Sequence, residues 1–305
     1  MRTHDRWDLL NLLAQWGPIA IREMITELAS STFPDHDTWR ARLLNYVDEH
    51  ARQIVTDLAG LVRMPSVSGS DNEIEIQRLL SDRMIAMHLD VDTWRIPLEE
   101  TLAEPDFPGV EVDRAESWGV VGRVASRGIG PSLMLNAHVD VVPPGDLLAW
   151  EGADPFSGRV TGDTVEGRGA CDMKAGLVAS LWAVRGITEL KVPLRGDLVL
   201  ATVVGEEDGG LGTYALLRRG WRADACVIPE PTSLDIAPAS AGALTFRITV
   251  PGVATHASRR LSGSARLRSS SRSFLLCVAS RRNGTRSSTH SRRGGSCRFR
   301  SRSAR

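Results

Sequence analysis

The chain has few of the features that mark secreted or membrane-embedded proteins. Its four cysteines lie far apart and form no Cys-x-x-Cys pair, so neither a disulfide framework nor a structural zinc finger is expected. No apolar run approaches the roughly 20 residues that span a bilayer, which argues against an integral membrane protein. Residues 1–13 place charged side chains ahead of a very short apolar run, a poor secretory signal. These absences favour a cytoplasmic location.

Acidic residues are missing from residues 259–305, although the whole chain carries 37 acidic and 37 basic residues. This segment holds 14 arginines and 13 serines. Its apolar residues are too few to offset the entropy of ordering a chain, which predicts a disordered or weakly ordered tail. Two hypotheses account for it: a basic arm that binds nucleic acid, or the out-of-frame translation of a GC-rich gene. The abrupt change in composition favours the second hypothesis.

The preceding residues alternate between helical and strand patterns. The predicted helices cover residues 39–63, 73–87, 172–185 and 212–219. The predicted strands cover residues 119–124, 132–137, 197–204 and 225–228, the last of them short and buried. This alternation predicts an α/β fold whose largely parallel sheet is covered by helices on both faces.

Residues with metal-binding or acid–base chemistry follow these strands. His138 and Asp140 follow the strand predicted over 132–137, and their spacing of two puts both side chains on one face if the strand persists that far. The alternative without a metal is a structural role, in which a histidine at the end of a strand pairs with a neighbouring acid. Asp172 stands at the start of a helix after a glycine-rich stretch, where it serves equally well as an N-cap.

Further acids follow the next two strands. Residues 206–208 are three consecutive acids, either in a solvated loop or facing a cation that one ligates while another acts as general base. Glu230 follows the last predicted strand, in what is alternatively a plain turn. Ligand sites in such folds lie beyond the carboxyl ends of the strands. An imidazole with several carboxylates there suits zinc, cobalt or manganese, and a shared carboxylate would permit a site for two ions.

The motifs occur in an order that resembles one known family. They are His138-Val139-Asp140-Val141-Val142-Pro143, Trp150 with Asp154-Pro155-Phe156, Gly167-Arg168-Gly169-Ala170-Cys171-Asp172-Met173-Lys174, Gly205-Glu206-Glu207 and Glu230-Pro231-Thr232. Together they resemble the zinc-dependent acetylornithine deacetylase / succinyl-diaminopimelate desuccinylase family, which includes aminoacylase and the glutamate carboxypeptidases. The resemblance runs from Leu58 to Ser258.

The resemblance implies a fold and a reaction. It implies a zinc-exopeptidase-like catalytic domain over residues 36–240, followed over 241–258 by the first strand of an α+β lid domain. Residues 1–35 are then an N-terminal helical extension, and 259–305 are the disordered tail. The implied reaction is hydrolysis of the amide bond of an N-acyl amino acid or small peptide by a metal-activated water. Members of the family are homodimers.

The resemblance also implies a set of metal ligands. His138 and Glu230 would bind one ion, Asp172 would bridge both ions, and Glu207 would bind the second. The family holds two Zn²⁺ per subunit, with Co²⁺ or Mn²⁺ as alternatives.

Three further residues receive catalytic roles from the resemblance. Glu206 is implied as the general base and Asp140 as the acid that orients His138. His256 is implied to reach the active site of a second subunit, where it would stabilise the oxyanion.

The chain also departs from the family pattern. Ala175 stands where the family usually has glycine, and the Arg/Ser tail stands where the lid and a final histidine ligand would follow. The local sequence around His290, Ser-Thr-His-Ser-Arg-Arg, is unlike the sequence that surrounds that ligand in the family. The alternative hypothesis is therefore that the chain is an inactive, truncated relative of this family, and that its basic tail binds nucleic acid non-specifically.

Overall fold

The computed structural model describes residues 36–233 together with Asp235 and Ala237, all within a unit that ends at Pro238. The helices are α1 His36–Glu49, α2 Ala51–Val62, α3 Asp71–Ala86, α4 Leu98–Ala103, α5 Ala175–Glu189 and α6 Leu211–Arg219. The strands are β1 Asp90–Arg95, β2 Trp118–Val124, β3 Leu133–His138, β4 Arg159–Thr161, β5 Thr164–Glu166, β6 Leu198–Val203 and β7 Ala225–Val227. Short 3₁₀ turns occupy Leu147–Ala149 and Glu151–Ala153.

Five of these strands form one sheet in the order β1-β2-β6-β3-β7. Strand β3 is parallel to both of its neighbours, whereas β2 is antiparallel to β1 and to β6. Of the five strands of this sheet, therefore, only β2 runs against the common direction. The predicted α/β class with a mostly parallel sheet is confirmed. Strands β4 and β5 form a separate antiparallel pair.

The core lies around β6 and β3, the strands whose ends carry the predicted site. All six residues of β6 are buried, as expected for a strand covered on both faces. Helix α5 packs on β3 and β6, α2 packs on α5, and α3 and α6 pack on β2. The register sets His138 opposite Val203, so the residues that follow these two parallel strands emerge at the same edge of the sheet.

Several predicted elements differ from those observed. The helix predicted over 39–63 divides near His50 into α1 and α2, and the helix predicted from Asp172 begins only at Ala175. Strand β7 is exposed rather than buried, because among the described strands it pairs only with β3 and lies at the sheet edge. Strand β1, the β4–β5 pair and α4 were not predicted.

Some predictions fall on residues that the structure does not describe. The helical extension over 1–35, the lid strand over 241–258, the tail over 259–305 and the residues His256 and His290 all lie outside the described residues. Within the described part, none of the helices combines the length and the apolar character that crossing a bilayer requires.

Candidate metal centre

His138 is the last residue of β3 and the centre of a cluster of acids. Its side chain is 1 % exposed. Its Nδ1 lies 2.9 Å from the backbone oxygen of Asp140. On the other side of the ring, Nε2 lies 3.1 Å from Oδ1 of Asp172, 3.5 Å from Oε1 of Glu230 and 4.0 Å from Oε2 of Glu206. Three sequence-distant acids therefore converge on one imidazole nitrogen.

The protonation of this cluster reflects its charges. Burial by itself lowers the pKa of His138, but the hydrogen bond to Asp172 and the charges of Asp140, Glu230 and Glu206 outweigh burial and raise that pKa to about 9. Burial, together with neighbouring carboxylates, raises the pKa of Glu230 to about 7. The hydrogen bond to His138 lowers the pKa of Asp172. A proton is thus shared among the imidazole and the carboxylates, and a divalent ion that binds there would displace it.

The donor atoms of this cluster fit a divalent metal ion. One ligand atom each from His138, Asp172 and Glu230 lie within 4.8 Å of one another. An imidazole nitrogen with two carboxylate oxygens is a donor set that zinc accepts, and three protein ligands leave a position open for water or substrate. The side chain of Asp172 is 53 % exposed, so its carboxylate is accessible from the open side of the cluster.

A local anchor holds the segment that carries Asp172. The irregular turn Ala170–Lys174 precedes α5, and the N-cap position of α5 is Lys174, so the N-cap alternative for Asp172 does not hold. Lys174 is fully buried and its Nζ donates to the backbone oxygens of Leu61 and Met64, at 2.9 and 2.7 Å. Burial lowers the pKa of Lys174 to about 7. The two hydrogen bonds of Lys174 Nζ hold the turn against the end of α2.

The loop after β6 brings two more acids beside the cluster. The carboxylate of Asp140 is completely buried and accepts hydrogen bonds from the backbone N–H groups of Glu206 and Glu207, at 3.1 and 3.3 Å. Its Oδ2 also accepts from the hydroxyl of Ser68 at 2.9 Å. Burial raises the pKa values of Glu206 and Glu207, and the charge of Asp172 raises both further. The third acid, Asp208, is buried, so the solvated-loop alternative does not hold for it.

The predicted residues are thus placed as follows. His138, Asp172 and Glu230 meet directly, and Glu206 lies at their edge. The carboxylate of Asp140 lies 3.7 Å from His138 Nδ1, farther than the backbone oxygen of the same residue.

Sequence reasoning assigned no role to Ser68 or to Lys174. One available signal was a lone lysine between apolar Met173 and Ala175, since a buried lysine requires partners.

Comparisons with known proteins show which family and which relatives the chain resembles. Residues 134–283 match the profile of Peptidase family M20/M25/M40. Over 208 residues the chain is 35 % identical to a succinyl-diaminopimelate desuccinylase of Methylobacterium nodulans, covering 65 % of this chain and 48 % of that protein. It is 29 % identical over 214 residues to an N-formyl-4-amino-5-aminomethyl-2-methylpyrimidine deformylase of Halalkalibacterium halodurans, covering 70 % and 46 %.

Two solved structures are also similar. Human carnosine dipeptidase 1 shares 19 % identity at a TM-score of 0.48, covering 62 % of this chain and 40 % of that one. A tripeptidase from Staphylococcus aureus shares 24 % identity at a TM-score of 0.47, covering 73 % and 56 %.

The chain spans about half the length of the curated relatives it matches. The resemblance read from the motifs is confirmed by the profile match and by the 35 % identity to a desuccinylase. The residues that match Peptidase family M20/M25/M40 include His138, Asp172, Glu206 and Glu230.

Proposed function

We propose that this chain carries the site of a metal-dependent hydrolase that cleaves the amide bond of an N-acyl amino acid or small peptide. The observation that supports it most is the convergence of His138, Asp172 and Glu230, with ligand atoms within 4.8 Å of one another, beside the carboxylate of Glu206. The names of two relatives, a desuccinylase and a deformylase, support removal of an acyl group from nitrogen.

Four side chains would hold the metal. His138 and Glu230 would bind one divalent ion and Glu207 a second, with the exposed carboxylate of Asp172 shared between them. Zn²⁺ is the proposed ion, two per subunit, with Co²⁺ or Mn²⁺ as substitutes. The backbone oxygen of Asp140 accepts the Nδ1 proton of His138, which leaves Nε2 directed at the acids as a ligand atom.

Glu206 would act as the general base. A divalent ion held by these residues would supply Lewis-acid chemistry, which polarises the amide carbonyl and lowers the pKa of water. Burial raises the pKa of Glu206, which brings it nearer neutrality and suits a group that both accepts and returns a proton. Glu206 would take a proton from the attacking water and deliver it to the leaving amine nitrogen. In a homodimer, His256 would reach the active site of the second subunit and stabilise the oxyanion there.

Metal binding and hydrolysis test this proposal together. Isothermal calorimetry with Zn²⁺ or Co²⁺ should show stoichiometric binding, and N-succinyl, N-acetyl and dipeptide substrates should be cleaved in a chelator-sensitive manner. Glu206→Gln should keep the metal and lose hydrolysis, whereas His138→Gln should lose both. Glu151→Gln, an exposed acid elsewhere, should change neither. Failure of the unaltered chain to bind divalent ions would overturn the proposal.

The tail supports a second candidate function. Its 14 arginines favour non-specific binding of nucleic acid, whose affinity should fall steeply with salt. Deletion of residues 259–305 should abolish such binding, as measured by fluorescence anisotropy with a labelled oligonucleotide.

A further inference from the structure

A buried ion network lies beside the loop that carries Glu206 and Glu207. Arg114, in the segment before β2, stands between two carboxylates: its Nε donates to Glu73 at 3.2 Å and its Nη1 donates to Asp208. The side chains of Arg114, Glu73 and Asp208 are 3 %, 5 % and 3 % exposed. None of these three groups has a role in the proposed reaction.

The two carboxylates hold the loop on either side of Glu206 and Glu207. Oε1 of Glu73 accepts the backbone N–H of Gly205 at 3.1 Å. On the far side, Asp208 belongs to the loop, and its carboxylate accepts the backbone N–H groups of Glu111 and Val112. The loop is therefore fixed immediately before the exposed Glu206 and immediately after the half-buried Glu207.

Stability alone does not account for such a network. Burying three charges carries a large desolvation cost, and apolar replacements of buried ion networks are often neutral or stabilising. Desolvation outweighs the attraction of Arg114 and raises the pKa of Glu73 to about 7. What the network does supply is geometry, because one planar guanidinium joins two carboxylates that each bind separate backbone amides.

We propose that Arg114 is a positioning residue: through Glu73 and Asp208 it fixes the loop so that Glu206 and Glu207 face His138 and Asp172 before any ligand binds. This inference rests on the proposed function and adds a residue on which metal affinity depends. The hydrogen bonds of Arg114 go to Glu73, Val112 and Asp208 rather than to the cluster, so it acts only through the backbone of the loop.

A charge-neutral triple variant separates positioning from stability. Arg114→Met, Glu73→Gln and Asp208→Asn together remove the ion network without leaving an unpaired buried charge. In metal-free protein, we expect amide hydrogen exchange at residues 205–207 to accelerate at least 10-fold, while the Tm changes by only a few degrees. Co²⁺ affinity, measured by calorimetry, should weaken about 10-fold.

A matched surface network provides the control. Arg159 bridges Glu151 and Glu166 with the same pattern of one arginine and two acids, but in an exposed position. Arg159→Met, Glu151→Gln and Glu166→Gln together should change neither exchange in the loop nor Co²⁺ affinity.

Each outcome decides the proposal. Wild-type exchange and wild-type Co²⁺ affinity in the Arg114 triple variant would overturn it. If that variant fails to fold, Arg114→Lys decides instead, since faster exchange confined to residues 204–210 supports positioning and a global increase contradicts it. If the unaltered chain binds no Co²⁺, the proposed function fails, and the exchange data still test whether Arg114 orders the loop.

Discussion

The two sides of the candidate metal centre are built differently. On the histidine side, side chains contact one another directly: His138 is almost fully buried, with Asp172 and Glu230 within 3.1 and 3.5 Å of its Nε2. On the loop side, the Glu206 side chain is 48 % exposed, and buried acceptors hold the backbone of Glu206 and Glu207 instead. The histidine side is fixed by contacts between the candidate ligands themselves. The loop side is fixed by buried carboxylates that bind the backbone of the loop.

Because the two sides are held by different contacts, they should respond differently to pH, to metal ions and to substitution. Direct imidazole–carboxylate contacts depend on protonation, so the histidine side should respond to pH and to metal ions. The backbone of the loop is held by hydrogen bonds to buried acceptors, so the loop side should respond most strongly to loss of those acceptors. Asp140 joins the sides, because its backbone oxygen meets His138 while its carboxylate meets the loop.

The largest expected effect comes from removing that junction. Asp140→Ala would leave the hydroxyl of Ser68 and the amides of Glu206 and Glu207 without their acceptor in a buried place. We expect the metal-free chain to lose about 4 kcal/mol of unfolding free energy, as measured by urea denaturation. The exposed Asp146, which caps one amide, serves as control, and Asp146→Ala should cost about 1 kcal/mol or less. Equal losses in the two variants would show that the buried carboxylate of Asp140 stabilises the chain no more than the exposed carboxylate of Asp146 does.

The histidine side was largely predictable from sequence. An apolar run followed by His138 and Asp140 has the pattern of a strand that ends at a site, and the predicted strand over 132–137 differs from β3 by one residue at each end. Glu230 and the loop acids followed from the same rule, that ligands gather beyond parallel strand ends. The order of the motifs then supplied the family.

The groups that fix the loop were not predictable in the same way. Glu73 lies in the first turn of α3 and Arg114 in an irregular segment, and neither belongs to a motif or a strand end. Their function depends on tertiary contacts between residues about 40 to 130 positions apart, which no local period encodes. Similarly, Asp172 resembles an N-cap in sequence, and the structure distinguishes the two roles by the start of α5 at Ala175 and by the contact of Asp172 with His138.

A smaller effect, specific to the histidine side, depends on pH. The pKa of His138 is raised to about 9, above its ordinary value near 6.5, so its stabilising contribution is complete below pH 6.5 and is lost as the pH rises through 9. The difference in unfolding free energy between the metal-free chain and His138→Gln should therefore shrink by about 3 kcal/mol between pH 6 and pH 9.5. Urea denaturation in the presence of chelator measures it.

The control for this pH effect is a core position in the same strand that does not titrate. Leu135→Ala should cost the same free energy at both pH values, because it removes only apolar contacts. A His138→Gln difference that is independent of pH would show that the imidazole and the acids do not interact as their distances imply.

The smallest expected effect is on the loop side. Ser68→Ala removes one of the three donors to the Asp140 carboxylate and leaves both loop amides in place. The cost should be about 1 kcal/mol, because the lost hydrogen bond is single and the variant strands no buried donor. Exchange at the amides of Glu206 and Glu207 should stay close to wild type, in contrast to Asp140→Ala. If Ser68→Ala freed those amides as fully as Asp140→Ala, the loop would depend on the orientation of the carboxylate rather than on its presence.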